Sequence, residues 1–152
     1  MRAEAARCMN CGCLAVNPSD LANALVACCA SIRTNLRTLT AEELFTRHTR
    51  VGDTLKRGEI LLEVTLPKFG PDTICRYDKF RLRDSIDFAV AALASVYTLR
   101  EGKIADARLV LGAAAPVPLR AAQAEAYLVG KAPTEDTAVE AAELALAGAL
   151  PL

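Results

Sequence analysis

From Asp20 onward, apolar positions recur at Leu21, Leu25 and Cys28, the spacing of one helix face. The residues just before supply a start. Asn17 caps if Pro18 takes the first helical position, and Ser19 is the other candidate cap. The pattern predicts a helix to about Cys29, then two short extended pieces around Thr34-Asn35. Thr40-Ala41-Glu42-Glu43 is a capping box and predicts a short helix to Phe45. Residues 46–58 are polar and read as a surface loop. The period then changes to two. In "EILLEVTLP", Ile60, Leu62, Val64 and Leu66 fall on one face of a strand that Pro67 ends. "TICRYDKFRLR" alternates again and predicts a second strand.

After Ser85, "IDFAVAALASVYTL" and "IADARLVLGAAA" flank Arg100-Glu101-Gly102-Lys103, which predicts a β-hairpin. The alanines of the first run suit a helix, but its Val, Phe, Tyr and Thr content and the glycine turn favour a strand. Beyond Pro116 and Pro118, "LRAAQAEAYLVG" predicts an amphipathic helix stopped at Gly130. A last helix is capped at Thr134 and carries acids in its first turns, where the dipole favours them. The second half thus predicts an antiparallel sheet with helices on one face, an α+β arrangement. The first half is too fragmentary for a domain by itself, and its strands look like the edge of something larger.

Composition narrows the class. The chain has 152 residues, 53% of them hydrophobic, enough to build a core. Lys plus Arg and Asp plus Glu are 18 each, a balance that argues against a nucleic-acid or anionic-membrane surface. No apolar run approaches membrane-spanning length, and the start lacks a secretory pattern, so a soluble, cytoplasmic protein is expected. In that compartment the six cysteines are expected as thiols.

Three of those cysteines open the chain. Cys8-x-x-Cys11-x-Cys13 offers three thiolates to a zinc ion or iron–sulfur cluster, and a fourth would come from Cys28, Cys29 or Cys75. The second Cys-x-x-Cys or histidine pair of a zinc site is missing. The alternatives are small buried thiols in a turn, or the remnant of a site needing another segment. Asp20 either complements the helix dipole or accepts a hydrogen bond from a ribityl or ribose hydroxyl. Lys79, Arg81 and Arg83 alternate along one strand face, either solvated or facing a phosphate or flavin. The lone His48 lies in the polar loop with no triad partners, and no Gly-x-Gly-x-x-Gly occurs.

Four stretches carry a resemblance: "PSDLANALVACCASIRTNLRTLTAEELF", "GEILLEVTLP", "KFRLRDSIDFAVAALAS" and "ARLVLGAAAPVPLRAAQAEAYLVGK". In order and spacing they resemble the flavin-binding (medium) subunit of the molybdenum hydroxylases, the group of xanthine dehydrogenase and carbon monoxide dehydrogenase. The resemblance implies the tail of an FAD-binding α+β domain over residues 1–70. Residues 71–152 would then form a domain like the carbon monoxide dehydrogenase flavoprotein C-terminal domain. The family's two glycine-rich pyrophosphate loops are not in this sequence, and relatives usually continue past its last residues. By resemblance, Asp20, Leu61 and Lys79 match flavin contacts. "EAARCMNCGC" resembles the cysteine-rich start of some iron–sulfur oxidoreductases, as at a junction between two modules.

These readings give three expectations. The first is a component of an FAD-dependent oxidoreductase subunit that passes electrons through flavin. Its partners would be iron–sulfur and molybdopterin subunits, the chain would be inactive alone, and a homo-oligomer is possible. The second is a non-catalytic docking domain without flavin. The third is an iron–sulfur or metal protein built on Cys8, Cys11 and Cys13.

Overall fold

The computed structural model of the chain describes residues 20–45, 55–83, 89–147 and 149. Helix α1 (Asp20–Ala27) buries Ala22, Leu25 and Val26. It ends two residues before the expected Cys29, and its hydrogen bonds show why. Cys29 N–H donates to Val26 O and Ala30 N–H to Leu25 O, while Cys29 takes a left-handed φ of 52°. This is a Schellman closure with cysteine where glycine is usual. Strands β1 (Ser31–Thr34) and β2 (Thr38–Thr40) follow as an antiparallel pair. Helix α2 (Ala41–Leu44) starts at the expected capping box: the Thr40 hydroxyl accepts from Glu43 N–H, and the Glu43 carboxylate accepts from Thr40 N–H.

Strand β3 (Leu61–Thr65) adds to the other side of β1, giving a three-stranded sheet in the order β2-β1-β3. It is shorter than its sequence pattern. Glu59 is instead drawn inside, where its carboxylate accepts from the Thr34 hydroxyl, the Lys56 amide and the Arg37 guanidinium. Ile60, Leu62, Val64 and Leu66 are all exposed, but a register shift that leaves Leu62 as an extra residue interrupts the expected alternation, and Val64 pairs with the buried Ile32.

The second sheet is antiparallel, β4-β5-β6-β7. Strands β4 (Thr73–Phe80), β5 (Ala91–Arg100), β6 (Lys103–Gly112) and β7 (Leu119–Arg120) build it. Pairing of β4 stops at Phe80 opposite Ala91, so Arg81 and Arg83 lie beyond the strand rather than along its face. The β5–β6 hairpin turns through Glu101 and Gly102, both with positive φ, the two-residue loop whose twist suits a hairpin. A register shift after Thr98 puts Ile104 opposite Leu99 and leaves Ala105 as an extra residue. That bulge turns Ile104 into the same cluster as Ala107 and Leu109.

Alternation along β5 and β6 feeds two cores. Ala94, Val96 and Val110 meet α1, β1 and α2. Leu93, Leu99, Ala107 and Leu109 belong to the other core, with helices α3 (Ala122–Leu128) and α4 (Glu135–Leu146). The two C-terminal helices therefore share one face of the sheet, and the helix from the first half takes the opposite face. Small residues let α1 come close: a Cβ on Gly112 would stand 2.1 Å from Asn23 Nδ2 and 3.3 Å from Ala92 Cβ. Arg120 clips both halves, donating to the buried Glu125 at 2.8 Å and reaching Glu42 of α2 at 3.5 Å. Glu125 also accepts from the Leu109 amide. Among the described residues no helix is long and apolar enough to cross a membrane.

Candidate functional site

Helix α1 packs across β5 and β6, and side chains of the edge strand β4 reach its first turn, where the charges meet. Lys79 and Tyr77 are two apart on β4, so their side chains share a face. Lys79 Nζ is 2.8 Å from Asp20 Oδ2, and the Tyr77 hydroxyl donates to Asp20 Oδ1 at 2.7 Å. Asn23, one turn along α1, bonds the same Tyr77 hydroxyl. Asn23 is 1% exposed, and its Oδ1 has no hydrogen-bond partner.

The electrostatics of this group fix its protonation. Partial burial pushes the Asp20 carboxyl up, but the hydrogen bonds from Lys79 and Tyr77 and the Lys79 charge outweigh it. The net result is a carboxyl below its ordinary value. Burial first, then the bond to Asp20, pushes Tyr77 up to about 12. At neutral pH Asp20 is thus a carboxylate and Tyr77 a neutral phenol. Neither is poised as a proton donor or acceptor near pH 7, so the pair suits binding and orientation rather than acid–base chemistry.

Two of the three residues singled out by resemblance, Asp20 and Lys79, are joined here. Leu61 is not hydrogen-bonded to them. It is partly buried on the first core, opposite Thr34 of β1, and flanks the same cluster as Tyr77. Cys8, Cys11 and Cys13, and with them Asn17, Ser19 and His48, lie outside the described residues. Among the described residues no three metal-ligating side chains converge. Tyr77 and Asn23 were missed in the sequence reading. The signals for them are the i, i+2 relation to Lys79 and the i, i+3 relation to Asp20, which place each beside a residue already chosen.

The family model described as the CO dehydrogenase flavoprotein C-terminal domain matches residues 76–152. The chain belongs to this family. The carbon monoxide dehydrogenase medium chain of Hydrogenophaga pseudoflava is 31% identical over 93 residues, 61% of this chain and 32% of that protein. The chain thus spans about a third of that curated relative's length. Among solved structures, one is carbon monoxide dehydrogenase from Hydrogenophaga pseudoflava lacking the Mo-pyranopterin moiety of the molybdenum cofactor. It matches with a TM-score of 0.78 at 29% identity, covering 88% of this chain and 50% of that one. Reconstituted CO dehydrogenase from Oligotropha carboxidovorans matches at 0.80 and 25% identity, covering 89% and 48%. Quinoline 2-oxidoreductase from Pseudomonas putida 86 matches at 0.78 and 27% identity, covering 90% and 48%. These coverages exceed the family match, so the fold shared with these structures takes in part of the first half as well.

The chemistry of the Asp20 group fits one edge of a flavin nucleotide. Lys79 offers N–H donors and Asp20 a half-exposed carboxylate for hydroxyls, while Asn23 is enclosed beneath them and out of reach of a ligand. The described residues offer no glycine-rich cradle for a pyrophosphate.

Proposed function

We propose that the chain contributes to the FAD-bearing subunit of a molybdenum-hydroxylase-type oxidoreductase. Residues 1 to about 70 are read as the tail of the FAD-binding domain, and residues 71–152 as the C-terminal domain. FAD supplies the relay of electrons between iron–sulfur centres and an acceptor. This chain's share is one wall: Lys79 and Asp20 position the flavin, and Leu61 contributes an apolar or backbone contact. Iron–sulfur and molybdopterin subunits are the partners in this reading, and the cytoplasm its setting.

The observation that carries the reading is the Asp20–Tyr77–Lys79 cluster, held between α1 and β4 in a chain of this family. Flavin-fluorescence titration of the purified chain tests it. Binding of FAD is expected to be weak and lost on desalting. Lys79→Met is expected to weaken it further by about tenfold, the size of one charge-assisted hydrogen bond. Affinity unchanged in both Lys79→Met and Asp20→Asn would sink the site assignment, and stoichiometric FAD surviving desalting would show the pocket to be fuller than proposed.

The exposed side chains around β3 favour a second reading, a docking domain without flavin. Ile60, Leu62, Val64 and Leu66, within and flanking β3, are exposed apolar side chains of a kind that marks interaction surfaces. Co-purification with an iron–sulfur or molybdopterin subunit, without flavin, is the outcome that separates it from the first.

A further inference from the structure

Below the Asp20–Lys79 pair, α1 and β4 meet again, and this contact is between thiols. Cys75 precedes Tyr77 by two and shares its strand face. Cys28 follows Ala24 by one helical turn, and its amide still donates to Ala24 O. Both thiols line one cleft of about 180 Å3 beside Ala27, Tyr77 and Val96, and Cys75 is near enough to push the Cys28 thiol up. Cys75 is exposed, whereas Cys28 is half-buried on the first core.

We propose that Cys28 and Cys75 form a reversible disulfide when the protein meets hydrogen peroxide, stapling α1 to β4. The exposed Cys75 reacts first. Its thiolate attacks peroxide, an S–O bond forms, the O–O bond breaks, and hydroxide leaves as water after taking a proton. The Cys28 thiolate then attacks that sulfur. The S–S bond forms, the S–O bond breaks, and a second water departs with the proton Cys28 gives up. Two thiols and one peroxide become one disulfide and two waters, with two electrons passing from sulfur to oxygen. The order of steps follows from the environments. Burial, then the neighbouring Cys75 and Cys29, pushes the Cys28 thiol up, so it serves better as the resolving group than as the first nucleophile. Cys29 is the competing partner by sequence, but it sits exposed at the left-handed helix end, and its Sγ is 4.0 Å from Ala27 O. The inference is independent of the flavin reading.

The test is mass spectrometry of the full chain, reduced, desalted, treated with equimolar hydrogen peroxide in the native state and alkylated. The expected product has lost two hydrogens and links the tryptic peptide 69–76 to the peptide containing Cys28, with fragment ions assigning Cys28. Dithiothreitol should reverse it. Cys29→Ser should retain the link and Cys75→Ser should abolish it. Both replaced residues are exposed, so neither variant disturbs the core. The oxidised chain is expected to melt higher by about 5–10 °C, because the bridge closes a long loop. A Cys28–Cys29 link, a bridge from Cys75 to the leading cysteines, or Cys75 oxidised without any cross-link overturns the proposal.

Discussion

At the scale of residues, Gly112 is the most tightly enclosed of the described glycines, against Asn23. A methyl group on Gly112 would have to displace the Asn23 amide, which is itself enclosed. Gly112→Ala is therefore expected to cost about 1–3 kcal/mol in urea unfolding, the usual penalty of overpacking. In the Asn23→Ala background the same change should cost much less, and an additive double mutant would refute the contact as the cause. None of this was legible in the sequence, where Gly112 looked like the end of a strand and Asn23 like one more helical polar residue. The Asp20–Lys79 pair was half legible. Each residue stood out, one by its place at a helix start and the other by alternation on a strand. Nothing local says that positions 59 apart meet, because that depends on how α1 crosses the sheet.

At the scale of elements, periodicity and caps carried most of the information. Thr40 and Thr134 cap the helices they were expected to cap, each accepting from a backbone amide in the first turn. These are local interactions, so local sequence suffices to specify them. The end of α1 was less legible because its closure uses cysteine in a conformation that disfavours a side chain. Cys29→Gly is expected to stabilise the protein by about 0.5–1 kcal/mol, read as a shift in urea midpoint at constant slope. No gain would mean that the Cys29 side chain makes up for its strain. Strand β3 shows the opposite limit. Alternation correctly announced a strand, but alternation reports only that one face is apolar and not whether that face is covered. Here the apolar side chains are exposed.

At the scale of the whole molecule, buried ion pairs join segments that apolar packing alone would leave loosely ordered. Glu59 closes the loop between β1 and β2 onto the chain entering β3. The Arg37 guanidinium, followed by the Lys56 amide, holds its carboxyl down from an ordinary 4.5 to about 2. Because the folded value lies below the unfolded one, the unfolded chain binds the proton first. The stability this group contributes is complete above about pH 4.5 and drains away as pH falls towards about 2. Glu59→Gln is expected to be less stable at neutral pH and to show a flatter decline across that acid range, measured as urea midpoints from pH 6 to pH 2. An unchanged acid slope would assign acid sensitivity elsewhere. The α+β plan and the order of β4, β5, β6 and the two C-terminal helices were legible from the sequence, whereas β7, which takes Leu119 and Arg120 from the expected start of α3, and the sharing of one sheet by two cores were not. Both faces of β5 and β6 are apolar, and such strands read as buried without saying by what. That shared sheet bears on inheritance. A recombination event cutting the gene near residue 70 would leave Ala94, Val96 and Val110 facing water on one product and Ala22, Leu25 and Val26 on the other. Either half exchanged alone would need a matching apolar face in its new partner.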